Sequence, residues 1–299
     1  VAYLAILLVY ALERRHGVYP RIQRDAWFYR FSAAARQAMG AVHVPSGLQW
    51  LVVVSLPCLV LLQVQDMVGN LLFGLVALAL YILVLICSLG RDDYAAQLDN
   101  YLAHWREGDL QGAYHVARNF MHWAGADEVG NPEQLHRYGA EALLYQGFER
   151  WFCVVFWFAA LGPWAALAYR LAYLDLTAQG DSPQAQRAGP ALFIRLVEWL
   201  PARVLALSFC LAGNSSACFA TWRAHCTAAD VGTPELLRLC ALAALHGDAA
   251  LVWGNASQHE TTMGPQGEAI DEIKGLQSLL QRAAVVWLVG LAVLVLVLE

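Results

Sequence analysis

Three ionisable side chains break into an apolar run around the stretch LVEWLPAR, residues 196–203: Arg195 just ahead of it, then Glu198 and Arg203. Arg195 and Glu198 stand three residues apart, so on a helix they share a face and can pair. Arg203 follows Pro201 by two residues, and that proline removes a backbone donor and is expected to bend the helix. Upstream, Glu149 precedes and Arg170 and Asp175 end another apolar run. Charges in such surroundings face a partner or a wet cavity, because isolated ions in hydrocarbon are costly. Two chemistries are open from spacing alone. In one, Arg195 and Glu198 neutralise each other and Arg203 snorkels to an interface. In the other, these residues line one polar site together with Arg170, Asp175 and Glu149.

The remaining reactive residues offer less. His115 and His122 lie on one helix face but about 10 Å apart along the axis, too far to share a metal. The adjacent pair Asp92-Asp93 reads as an N-cap followed by a first-turn acid that the helix dipole favours; as neighbours on a helix the two carboxylates diverge by about 100°. Seven cysteines include no CxxC, and they read as small hydrophobes. HExxH, GxxxxGK[ST] and GxSxG are all absent from the sequence, so zincin, P-loop and serine-hydrolase chemistries have no support. No metal and no cofactor are expected.

What must position these groups is set by the solvent. Of 299 residues 59% are hydrophobic and only 14% charged, against about 25% charged in soluble domains. A polytopic membrane protein with an all-α fold and about four to six transmembrane helices is expected, with the lipid bilayer as a partner. The net charge of −5 gives no reason to expect nucleic acid. Spans are expected at Leu48–Val64, Met67–Leu89, Trp151–Leu174 (interrupted by Gly162-Pro163) and Ala283–Leu298. Val1–Leu12 is short for a span unless preceding residues complete it, and no signal-peptide cleavage site follows it. Leu192–Ala212 is ambiguous, and with it the side on which residues 214–282 lie. Gln65-Asp66 is expected to form the tight turn of a transmembrane hairpin. Six arginines between Glu13 and Ser46 place that loop on the cytoplasmic side.

The segments then read as 1–90 (membrane helices with an Arg-rich loop), 91–149 (cytoplasmic helices), 150–213 (membrane or interfacial helices with the charges), 214–282 (a polar helical region) and 283–299 (a last span). Leu98, Tyr101, Leu102 and Trp105 recur at helical steps. Gly108 suits a helix C′ position and Asp109 the next N-cap. Asn131-Pro132-Glu133-Gln134 opens another helix, expected to run through Glu149 into the following span. Asn214 or Ser215 caps a helix through His225, and Thr233-Pro234-Glu235 opens one ending near His246. Gly254–Gly267 reads as a loop, and Glu268–Arg282 as an amphipathic helix leading into the last span.

Three blocks carry a family resemblance: WREGDLQGAYHVARNF, FWFAALGPWAALAYRLAYLD and IRLVEWLPARVLALSFCLAGN. They resemble the superfamily that holds the cobinamide-phosphate synthases of the cobalamin pathway and the AmpE-type inner-membrane proteins linked to β-lactamase induction. The synthase motifs are altered here. E-N-x-S-D-G corresponds to Tyr145–Arg150, N-T-L-D-S-M to Ala172–Thr177, and G-R-D-T to Gly125-Ala126-Asp127-Glu128. The paired aspartates before N-W-L-P-A-R are Ile194 and Arg195, and Glu198 replaces the asparagine. The AmpE type, similar to D-W-x-P-x-R, keeps an acid where Glu198 stands. That resemblance implies a multi-pass protein of the bacterial inner membrane, regulatory in cell-wall stress, with no catalytic residue assigned. A membrane-bound, amide-forming synthase-like enzyme is the alternative. It also implies a polar cavity in which Arg170, Arg195 and Arg203 attract an anionic or muropeptide-like ligand. Asp127, Glu149, Asp175 and Glu198 would orient them, with Asp92, Asp93 and Asp109 as secondary candidates. A protein partner would dock on the cytoplasmic helices.

Overall fold

The computed structural model describes residues 1–16, 25–41, 45–68, 74–90, 94–120, 132–178, 184–228, 231–246 and 266–298. Every regular element among them is helical, as the periodicities predict. The helices are α1 (Ala2–His16), α2 (Ala26–Ala41), α3 (Ser46–Val68), α4 (Leu75–Ser88), α5 (Tyr94–Glu107), α6 (Leu110–Phe120), α7 (Pro132–Gly147), α8 (Cys153–Leu161), α9 (Pro163–Ala178), α10 (Gln184–Ala212), α11 (Ser215–His225), α12 (Thr233–His246) and α13 (Gln266–Leu298). Between α7 and α8 the chain forms one π-helical turn, Phe148–Phe152. The chain divides into two compact units, one built from Val1–Arg91 and Cys153–Glu198, the other from Asp92–Phe152 and Trp199–Glu299.

The first unit is organised around α9, against which α8, α3, α4 and α2 pack. Gly162 ends α8 with φ +93, a conformation that favours glycine, and Pro163 then opens α9. This break, marked in the sequence, divides the expected span Trp151–Leu174 into two helices. Along α9 an unbroken run from Tyr169 to Asp175 is buried, because neighbours cover every face. Ala166 and Ala172, both fully buried, let those neighbours approach closely. In α2 the buried positions Phe28, Ser32 and Met39, with Arg36 between, follow helical spacing. A helix thus stands inside what the sequence presents as an arginine-rich loop.

The second unit is organised around α7, which meets α6, α12 and α13. Gly108, at φ 72, closes α5, and Asp109 caps α6 through a 2.9 Å bond from the Gly112 amide to Oδ1. Leu98, Tyr101, Leu102 and Trp105 form the buried stripe of α5. Asn214, of the two alternatives, caps α11, its Oδ1 accepting from the Ala217 amide at 3.4 Å. The segment from Gln266 is a single helix of 33 residues. Ile273, Leu276, Leu280, Ala284 and Trp287 form its buried stripe.

Two helices among the described residues are long and apolar enough to cross a membrane, over Leu48–Val68 and Ala269–Val297. The apolar helices Ala2–Glu13 and Leu75–Ser88 are shorter. Gln65-Asp66 does not form the hairpin turn: helical hydrogen bonding continues through both residues to Val68, with Asp66 exposed on the last turn. A polar pair alone does not end a helix: the backbone groups of both residues stay within the helical ladder here. Nor does Pro201 break α10, which runs unbroken from Gln184 to Ala212.

Candidate functional site

Three of the sequence-selected charges, Arg170, Asp175 and Glu198, are buried within the first unit. Arg170 and Asp175 come from α9, and Glu198 from the first half of α10. Each has an identifiable stabiliser. Asp175 accepts a hydrogen bond from Arg36 on α2, forming an ion pair whose aspartate is 3% exposed and whose arginine is 23% exposed. Glu198 accepts from the Tyr169 hydroxyl at 2.8 Å. The Arg170 guanidinium carbon lies 5.8 Å from the centroid of the Tyr173 ring, within cation–π range. Tyr169 and Tyr173 are four residues apart, so α9 presents two phenol rings on one face beside its two charges. The first unit thus holds two arginines and two carboxylates around α9: Asp175 paired with Arg36, Arg170 over Tyr173, and Glu198 bonded to Tyr169.

Close by, the proline of LVEWLPAR has a local consequence. Pro201 carries no N–H, so the Val197 carbonyl lacks its usual donor four residues on. The Trp157 indole N–H donates to that carbonyl instead, at 3.2 Å. A helix irregularity is thereby turned into a tether between α8 and α10.

The other candidates are each placed differently. Arg195 is exposed, while Glu198 three residues on is buried. Glu149 is buried in the π-helical turn of the second unit. Such turns insert one extra residue into helical packing and occur often at functional sites. It falls within Tyr145–Arg150, the stretch where the resemblance places an altered motif. Arg203, also in the second unit, is committed to structure. Its Nε donates to the Cys226 carbonyl at 2.7 Å and its NH1 nitrogen to the Trp199 carbonyl at 3.0 Å. Its guanidinium carbon lies 4.3 Å from the centroid of the Trp199 ring, and its own carbonyl accepts from the Trp222 indole at 3.0 Å. Asp109 serves as a cap and meets His104 at 3.0 Å. Its carboxyl is held below the ordinary range, first by the Gly112 amide. Asp92, Asp93 and Asp127 lie outside the described residues, as do positions 254–265 of the expected loop.

Several polar residues of consequence were not legible in advance. Arg36 and Tyr169 belong to apolar helical faces, and only the burial periodicity of α2 hints that Arg36 points inward. In the second unit Glu272 of α13 meets His136 of α7 at 3.0 Å and His246 of α12 at 3.8 Å. Glu141 of α7 receives Arg238 at 3.0 Å and Arg137 at 3.1 Å. This network ties three helices together.

An all-helical chain with membrane-length helices and charges folded into its interior belongs to a restricted class, and its sequence narrows the class further. The chain belongs to the family of the regulatory signalling modulator protein AmpE, whose family model matches residues 1–296. It is also similar to the cobalamin biosynthesis protein CobD of Chromobacterium violaceum, 31% identical over 122 residues. That stretch is 39% of this chain and 38% of the relative, so well under two thirds of the relative's length is represented. No solved structure matches the chain.

Proposed function

We propose that this chain is a multi-pass regulatory protein of the bacterial inner membrane that modulates β-lactamase induction under cell-wall stress. Family membership supports the regulatory part. The observation that carries the membrane placement is the division of α10 into two faces. Leu196, Trp199, Leu200, Val204, Leu207 and Leu211 are exposed at helical spacing. They form an apolar stripe about 22 Å long at 1.5 Å per residue. Glu198 is buried on the opposite face, and Arg203, which falls within the stripe, is covered by Trp199 and by its bond to the Cys226 carbonyl. A stripe of that size facing water is unfavourable, whereas hydrocarbon accepts it. Glu198 then points into protein, Arg203 is satisfied by backbone carbonyls, and the leucines face lipid. With α10 as a span, the expected number of transmembrane helices rises beyond the two that length and composition alone select.

The polar cluster around α9 is the ligand-recognising part of this reading. Arg36, 23% exposed, is its partly solvated cation, and an anionic, muropeptide-like ligand is recognised by the exposed part of that guanidinium. Because Asp175 is buried and would be stranded by displacement, the ligand carboxylate adds to the exposed edge of the Arg36 guanidinium while the Arg36–Asp175 pair stays in place. The test is thermal stabilisation of the protein in lipid nanodiscs against muropeptides, corrinoids and nucleotides. Stabilisation by muropeptides, reduced in Arg36→Gln, is expected. Stabilisation by corrinoids alone would instead favour a synthase-like activity of the kind the CobD similarity suggests, and stabilisation by none would leave the cluster a structural one.

A further inference from the structure

Three buried thiols meet where α10, α11 and α12 join in the second unit. The sulfurs of Cys210 and Cys218 are 3.0 Å apart, and Cys240 of α12 is fully buried in the same unit. Cys210 is 6% exposed and the other two are fully buried. Their carbonyl neighbour is Ala206, which lies 3.9 Å from the Cys210 sulfur and 3.7 Å from that of Cys218. The surrounding corner is held in place: the Asn214 amide donates to the Ala244 carbonyl at 2.7 Å, and Asn214 caps α11. Two thiolates on one tetrahedral metal stand about 3.7 Å apart for metal–sulfur bonds near 2.3 Å. Among the described residues no group of three His, Cys, Asp or Glu is arranged to hold a metal ion. A separation of 3.0 Å is too short for shared metal ligation, and about 1 Å from the disulfide bond length of about 2.05 Å.

We propose that Cys210 and Cys218 are a redox modification site, joined to a disulfide by a low-molecular-weight disulfide such as oxidised glutathione. Transient opening of the corner lets Cys210, the more exposed, lose its proton; its thiolate attacks one sulfur of the oxidant and releases one glutathione thiol. The Cys218 sulfur then attacks the Cys210 sulfur of the mixed disulfide and releases the second. The two protein thiols lose two protons and two electrons, and the oxidant becomes two thiols. Neighbouring Cys240 and burial push the Cys218 thiol up, so the second step too takes place in the opened corner. The product staples the end of α10 to α11. Arg203 already binds α10 to the carbonyl that follows α11 there, so oxidation fixes an existing arrangement.

Cys210 and Cys218 are the two cysteines between Arg203 and Arg223, so cleavage at arginine leaves both in one peptide. The full chain in nanodiscs is treated with oxidised glutathione, denatured, alkylated without reduction and mapped by mass spectrometry. The expected peptide is two hydrogens lighter than its reduced form, resists alkylation until reduced, and persists in Cys240→Ala. In Cys210→Ala the lighter peptide disappears. Full alkylation of both cysteines would overturn the proposal, as would a Cys218–Cys240 cross-link or a glutathione adduct that persists on Cys210. Half-exposed Cys226 reports that oxidant reached the protein; oxidant is raised until that adduct forms, so a negative result counts against the site.

Discussion

The Tyr169 hydroxyl donates to the Glu198 carboxylate at 2.8 Å, joining two helices through residues 29 positions apart. Both groups are buried, so neither exchanges this contact for water. A hydrogen bond to a charged acceptor in such surroundings contributes about 1.5–3 kcal/mol. Tyr169→Phe is expected to lower unfolding stability by that order in detergent. Glu198→Gln, which keeps an acceptor without the charge, should cost less if the role is structural. Regulatory output lost in Glu198→Gln at unchanged protein level would instead place Glu198 in the ligand site.

Arg36 and Asp175 make the second test. Breaking a fully buried ion pair costs about 3–5 kcal/mol, because the remaining charge is stranded. Arg36 is partly solvated, so Arg36→Met should cost less than that range. Replacing both, as Arg36→Met with Asp175→Leu, should recover most of the loss. A double variant whose loss equals the sum of the two single losses would show that the pair is not coupled.

Trp157 and Pro201 should be coupled through a carbonyl that neither owns. Trp157→Phe removes the donor to Val197 and is expected to cost about 1 kcal/mol. In a Pro201→Ala background the restored amide at position 201 can serve the same carbonyl, so the tryptophan change should cost less. A double-mutant cycle by chemical unfolding measures the difference; strict additivity would refute the link.

Acid should loosen α6 from its first turn. Asp109 has a depressed pKa because the Gly112 amide, and secondarily His104, favour its charged form. A depressed carboxylate contributes stability that is fully present above its unfolded pKa and is lost as pH falls through the folded value. Amide exchange at Gly112 should therefore accelerate on the acid side of that window. Asp109→Asn retains a cap and should remove the dependence on pH.

Much of the helical plan is written locally. The glycine at 108 with its aspartate cap, the Gly162-Pro163 break, the Asn214 cap and the opening at Thr233 all lie where the sequence signals them. These signals work because capping and periodicity relate residues within about four positions, inside one piece of chain. The turn proposed at Gln65-Asp66 shows the limit: polarity alone does not end a helix unless backbone geometry must change.

By itself, then, the sequence determined an all-helical chain, low in charge, related to AmpE, with ionisable groups placed in apolar helices. Which of those groups meet was decided only by tertiary structure. Arg36 reaches Asp175 across 139 positions, and His136 reaches Glu272 across 136. Arg203, adjacent in sequence to the cluster around Glu198, instead turns to the end of α11. The physical reason is that a buried charge takes the partner offered by whichever helix face packs against its own. That choice is made by the packing of the whole unit, not by the spacing of residues along one helix.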